Sequence, residues 1–221
     1  MTTGARGHAR IEDPTRAQRA VGRRAAEARA TIPHLELGTE VDMDRPLALC
    51  DRESHALTGV IARACALALR EHPRANAGYR DGQFELYPRI NIGLLIENGD
   101  DLEVATVFDA DAKPLAELTE VIADLRARAG SLTRPERSGA TFTLTHHRDN
   151  GVAWESPLVW TGQAAAAAVG AVREGAVIRG DEVAVGRQMT ITLACDHRIL
   201  YGPPAARFLA CIKELLEHGP S

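Results

Sequence analysis

The stretch MTITLACDHRILYGPPAARFL, residues 189–209, constrains the fold of this chain more than any other. Met189 to Cys195 is an apolar run that reads as a buried strand. It delivers Asp196, His197 and Arg198, and the chain then turns sharply through Gly202-Pro203-Pro204 into a closing helix, Pro204 to His218. A histidine is thereby held at the exit of a buried strand. That is a good place for a general base, because neutral imidazole takes a proton from a hydroxyl or thiol near neutral pH and returns it.

The rest of the chain supplies a sheet and few helices. Residues 1–13 are small, charged and aperiodic, as in a flexible tail, and Pro14 opens a helix over Thr15 to Arg29 that Pro33 ends. His34 to Asp42 alternates as a half-buried strand does, and Thr58 to Glu71 has an apolar face at helical spacing. Gln83 to Pro88, Arg89 to Glu97 and Asp101 to Phe108 read as strands joined at Pro88 and Asn98-Gly99, and Ala112 to Ala129 as an amphipathic helix. Thr141 to Thr145 and Ala164 to Arg173 are further strands. Strands grouped between few helices imply an α/β two-layer sandwich with a mixed, largely antiparallel sheet, in one domain over residues 14–221.

Composition excludes several function classes. With 221 residues and a formal net charge of -4, the chain can bury a full core and lacks the basic footprint of a nucleic-acid binder. The longest apolar run, Ala164 to Val172, is too short to span a bilayer, and no signal peptide is visible, so no membrane partner and a cytoplasmic location are expected. Cys50, Cys65, Cys195 and Cys211 are widely spaced and read as reduced thiols. His146-His147 beside Asp149 lacks a second ligand pair, so no metal is expected, and no phosphate-cradling glycine loop is present.

Asp196-His197-Arg198, Gly202 and Ala205-Ala206-Arg207-Phe208 resemble the Asp-His-Arg-x-x-Asp-Gly-x-x-Ala-Ala-x-Phe signature of the dihydrolipoyl acyltransferases of 2-oxo acid dehydrogenase complexes. The chloramphenicol acetyltransferase relatives share its histidine-to-glycine core. The resemblance continues in family order through Arg23-Arg24, Ala30 to His34, Glu40 to Asp42, Asn91-Ile92-Gly93, Gly139 to Leu144, and Pro157 with Gln163 to Gly170. It implies a chloramphenicol acetyltransferase-like sandwich that assembles as a homotrimer, with active sites between neighbouring subunits.

On that resemblance His197 is the general base, and Thr145 stands where the family has the serine that stabilises the oxyanion. Threonine keeps the hydroxyl on a stiffer, β-branched side chain. His146 replaces the asparagine that follows, and Tyr201 replaces the usual aspartate before Gly202. Tyr201 either hydrogen-bonds locally or lines the acceptor pocket, and Trp154 and Trp160 either line a substrate channel or pack the core. Tyr201, His146 and Trp154 are the candidate substrate-binding residues.

The chain begins almost at the catalytic domain and ends soon after Leu215-Leu216, so no lipoyl group on this chain and a free trimer rather than a cage are expected. The leading expectation is transfer of an acyl group, acetyl above all, from acetyl-CoA or another coenzyme A thioester to a small-molecule hydroxyl. Tetronate polyketide pathways of antibiotic biosynthesis use stand-alone proteins of this kind. The alternatives are a dihydrolipoamide acyltransferase core and a noncatalytic scaffold of the same fold.

Overall fold

Thr15 and Gln18 open the first helix with a reciprocal capping box: the Thr15 hydroxyl accepts from the Gln18 N–H, and the Gln18 side chain accepts from the Thr15 N–H. The structure, a computed structural model, describes residues 7, 9–50, 54–99, 101–148 and 150–220. Most of the expected tail, residues 1–6 and 8, therefore lies outside the described residues. Helix α1 (Arg16–Thr31) leads through Pro33 into β1 (His34–Asp42), followed by α2 (Asp44–Ala48) and α3 (Ser54–Glu71). Then come β2 (Ala77–Arg80), β3 (Gln83–Leu86), β4 (Ile92–Asn98), β5 (Asp101–Val107), α4 (Leu115–Ala127) and α5 (Arg134–Ser138). The chain closes with β6 (Phe142–His146), β7 (Ala165–Val169), β8 (Arg173–Arg179), β9 (Glu182–Asp196) and α6 (Gly202–His218).

One sheet runs β1-β9-β7-β6-β4-β5, with β8 paired to the first half of β9. The β4/β6 and β6/β7 pairs are parallel and the other pairs of this sheet antiparallel. This is the mixed sheet expected. Because side chains alternate between faces along a strand, Phe142 and Leu144, Ala165 and Ala167, and Ile191, Leu193 and Cys195 share the face packed against the helices. Phe208 of α6 meets Phe142 there edge-on, with ring centroids 6.1 Å apart. The opposite face is thinner: Ala166 and Ala194 lie beneath Ala28 and Ile32 of the α1 end, together with Val159. Strand β7 is buried on both faces, and its run AAAAV has the small side chains that such a layer requires.

Three expected strands differ from the structure. Gln83 to Pro88 contributes β3 to a separate two-stranded sheet with β2, not to the main sheet. Ala164 to Arg173 is not one strand. It breaks at Gly170, where a Cβ would stand 2.0 Å from the Ala153 carbonyl oxygen, and pairing resumes in β8. Strand β9 starts seven residues before Met189, because its first half forms a ribbon with β8 around Gly180-Asp181, with Gly180 at φ +63°. Ile178, Val183 and Val185 of that ribbon are exposed, so it lacks the burial pattern that marks a strand in sequence. The four cysteines form no disulfide, and burial pushes the Cys65 and Cys195 thiols up to about 12.

Gly170 brings the irregular segment 150–163 against the sheet, since the Ala171 N–H donates to the Val152 carbonyl (2.8 Å). Gly170→Ala is expected to cost at least about 1–3 kcal/mol of stability, as overpacking does, read as a lower urea midpoint at unchanged slope.

Candidate active site

Strand β9 ends at Asp196, whose carboxylate is 1% exposed. A buried charge persists only when paired, and Arg198 supplies the pairing with its Nη2 at 2.6 Å, its Nε at 2.9 Å and its backbone N–H at 3.0 Å. That hydrogen-bonded carboxylate raises the Arg198 pKa, and the guanidinium rests over the Tyr79 ring at 4.2 Å. The Asp196 carbonyl accepts from both Ile199 and Leu200 at 2.9 Å, closing a tight turn, and Tyr201 follows as the N-cap of α6. His197 sits inside this turn with its N–H donated to the Pro33 carbonyl (2.9 Å). Its backbone is fixed from both sides. Its ring is exposed and makes no hydrogen bond among the described residues.

Neighbouring His34 holds the other side of the same corner. The Val159 N–H donates to its Nε2 (3.1 Å), so its Nδ1 carries the proton and donates to the Ile32 carbonyl (2.8 Å). The sequence marks His34 only as the start of a strand and the end of the Ala30 to His34 match.

Thr145 lies on β6, half-buried, on the face opposite Phe142 and Leu144. It pairs with Ala168, which pairs with Thr192 of β9. His197 is five residues beyond Thr192. That amounts to about 16 Å along the strand and about 10 Å across two strand spacings, hence about 19 Å between the two residues in one chain. A single chain does not bring the expected base and the expected oxyanion donor together.

The expected substrate-binding residues scatter similarly. The His146 ring points to the helix side, where its Nδ1 lies 2.9 Å from the Thr58 hydroxyl of α3. Burial, with the charges of Arg126 and Arg148, drives its pKa down to about 3, so it is neutral at ordinary pH. Arg126 of α4 donates to the same Thr58 hydroxyl (3.2 Å), and its pKa is lowered to about 10 by burial and then by Arg148. Sequence reasoning missed this cluster, although Arg126 lies beside the stripe Leu118, Ile122 and Leu125 of α4, an uncommon place for an arginine. His147 is paired with Glu155. Trp154 is 63% exposed, whereas Trp160 is buried with the Arg24 guanidinium 5.0 Å from its ring centre. Tyr201 is half-exposed and makes no side-chain cap bond.

A family profile described as 2-oxoacid dehydrogenases acyltransferase (catalytic domain) matches residues 7–220. The chain belongs to that family. Within this acyltransferase family, the dihydrolipoyllysine-residue acetyltransferase component of the pyruvate dehydrogenase complex of Acholeplasma laidlawii is 28% identical over 223 residues, 95% of this chain and 41% of the relative. A probable dihydrolipoamide acetyltransferase of Listeria monocytogenes superposes with a TM-score of 0.90 at 27% identity, covering 97% of this chain and 96% of that one. A chloramphenicol acetyltransferase shares the fold, with a TM-score of 0.53 at 15% identity over 89% of this chain and 92% of that one. The chain spans about half the length of the curated relatives it matches. Among the described residues no helix is long and apolar enough to cross a membrane, and no group of three potential metal ligands clusters.

The depressed His146 sets a pH dependence. An unfolded histidine takes up its proton near pH 6.5, whereas folded His146 does so only near about 3. The unfolded state therefore binds the extra proton in between, and stability falls as pH drops through that window with a slope approaching about 1.4 kcal/mol per pH unit. Urea unfolding across this range is expected to show the slope in the wild type and a flatter one in His146→Gln.

Proposed function

We propose that this domain, residues 14–221, transfers an acyl group between coenzyme A and the dithiol of a dihydrolipoyl group, with His197 as general base. The observation that carries the reading is the His197 corner, a backbone fixed by Asp196, Arg198 and Pro33 around an exposed ring that makes no hydrogen bond among the described residues. The hydroxyl acceptor first expected gives way to the dithiol, since the curated relatives matched across 90% or more of this chain are named dihydrolipoyllysine-residue acetyltransferases or succinyltransferases. A lipoyl group enters as the acceptor's own.

The acceptor sulfur attacks the thioester carbonyl while the His197 ring takes the S–H proton. The carbonyl oxygen becomes an oxyanion that accepts a hydrogen bond from Thr145. The tetrahedral adduct collapses by breaking the bond to the coenzyme A sulfur, which leaves as a thiolate and takes the proton back from the imidazolium. Because His197 and Thr145 are about 19 Å apart within one chain, they meet only across a subunit boundary, and a cyclic homotrimer supplies that boundary three times. Exposed Tyr201 and Trp154 are assigned to the acceptor side of the cleft.

With acetyl-CoA and dihydrolipoamide as substrates, His197→Ala is expected to fold and to lose at least about two decades of turnover. Thr145→Val is expected to lose about a hundredfold while Thr145→Ser keeps most of the rate. Wild-type turnover in His197→Ala overturns the mechanism. Turnover with alcohols but none with dihydrolipoamide overturns the acceptor.

A further inference from the structure

The apolar alternation of β9 runs on past the core. Met189, Ile191, Leu193 and Cys195 pack beneath the helices, and beyond Arg187 the same period of two reaches Val185 and Val183. Nothing covers that extension in a single chain: Ile178, Val183 and Val185 are 69%, 73% and 78% exposed. Ile178 pairs with Val183 and Ala176 with Val185, so the four side chains form one strip on one face of the β8/β9 ribbon. A two-stranded ribbon with an apolar face in water is marginal by itself, and a contiguous exposed apolar strip marks an interaction surface. The strip is nonetheless held in place. Arg179, beside the ribbon's turn, pairs with Asp42 and Asp44, and Arg187 at its base pairs with Asp44 (3.0 Å), so the surface is shaped before anything docks on it.

The ribbon leaves the sheet at the Thr145 end, because His146 pairs with Val169, Gly170 follows, and β8 begins three residues later. At the opposite end, Arg198 rests over Tyr79 of the β2/β3 hairpin, and the Tyr79 ring lies 6.3 Å from that of Phe84. Phe84 and Leu86 of this hairpin are half-exposed. One chain thus carries two apolar surfaces at its two ends, each beside one half of a site that the chain cannot assemble alone. Head-to-tail contact joins unlike surfaces of successive copies and closes into a ring. We infer that the strip of Ile178, Val183 and Val185 packs against Phe84 and Leu86 of a neighbouring copy, and that this contact holds together the subunit boundary on which Thr145 and His197 meet. The inference rests on the function proposed above in placing those two groups in one site.

Light scattering on the full chain, with turnover of acetyl-CoA and dihydrolipoamide measured on the same samples, tests the contact. Val183→Asp combined with Val185→Asp puts charge where water already reaches in a single chain, so the fold is expected to survive, as judged by circular dichroism. The mass is expected to drop from that of a trimer to that of one chain, and turnover to fall by at least about two decades, as for His197→Ala. Phe84→Asp combined with Leu86→Asp is expected to do the same from the other surface, and carries the test if the ribbon variant does not fold. Folded variants that remain trimeric overturn the inference and leave the proposed function standing. A monomeric wild type overturns both. A trimer that dissociates in both variants but has no turnover in the wild type supports the contact and overturns the proposed function.

Discussion

The buried pairing of Asp196 with Arg198 is the interaction on which the rest of the site depends. A carboxylate at the end of a central strand, sealed from water, leaves the chain little freedom in its path beyond that strand. The next residues must fold back to satisfy it, and they do so within two positions. That fold-back turns β9 into α6, brings Ile199 and Leu200 into the core, and leaves His197 at the apex of the turn. Removing one partner of such a pair generally costs about 3–5 kcal/mol, because the other charge is stranded. The position of the histidine is thus secured by charge satisfaction in the backbone around it, while its ring stays unconstrained.

Two histidines close to the expected site show how environment divides roles. His197 lies on an exposed turn, its ring without a hydrogen bond among the described residues. His146, next to Thr145 in sequence, turns to the opposite face of the sheet, where burial and two arginines keep it neutral. The period of two along a strand sends neighbours to opposite faces, so adjacency in sequence between Thr145 and His146 says nothing about a shared pocket. The same alternation gives the sheet two unlike faces: a helix-covered one, against which the His146 ring packs, and a thinner one carrying Thr145.

Much of this fold is legible in the sequence. The strand into Asp196, the turn through Gly202 and the apolar stripes of α3, α4 and α6 have strong periodicity, and the signature around His197 marks the family. The ribbon of β8 and early β9 is not legible, because Ile178, Val183 and Val185 lie in solvent and erase the contrast on which strand recognition rests. Strands of four residues and helices of five, such as β2 and α2, are too short to show a period. Thr145 is found only through resemblance, and its distance from His197 is set by the register of β6, β7 and β9, which arises from pairing between segments far apart in sequence. The Arg126 cluster has a local signal, an arginine beside an apolar stripe, whose meaning emerges only with Thr58 and His146 packed against it.

In the proposed mechanism the reaction is performed between chains, because about 19 Å of sheet separates the two groups within one. Subunit mixing tests this directly. His197→Ala and Thr145→Val chains, each nearly inactive alone, are unfolded together at equal concentration and refolded. In a cyclic trimer with random assembly, about a quarter of the sites pair an intact histidine with an intact threonine, so about a quarter of the wild-type rate is expected to return. A mixture no more active than the mean of its two parents would contradict the account and place both groups, or neither, within a single chain.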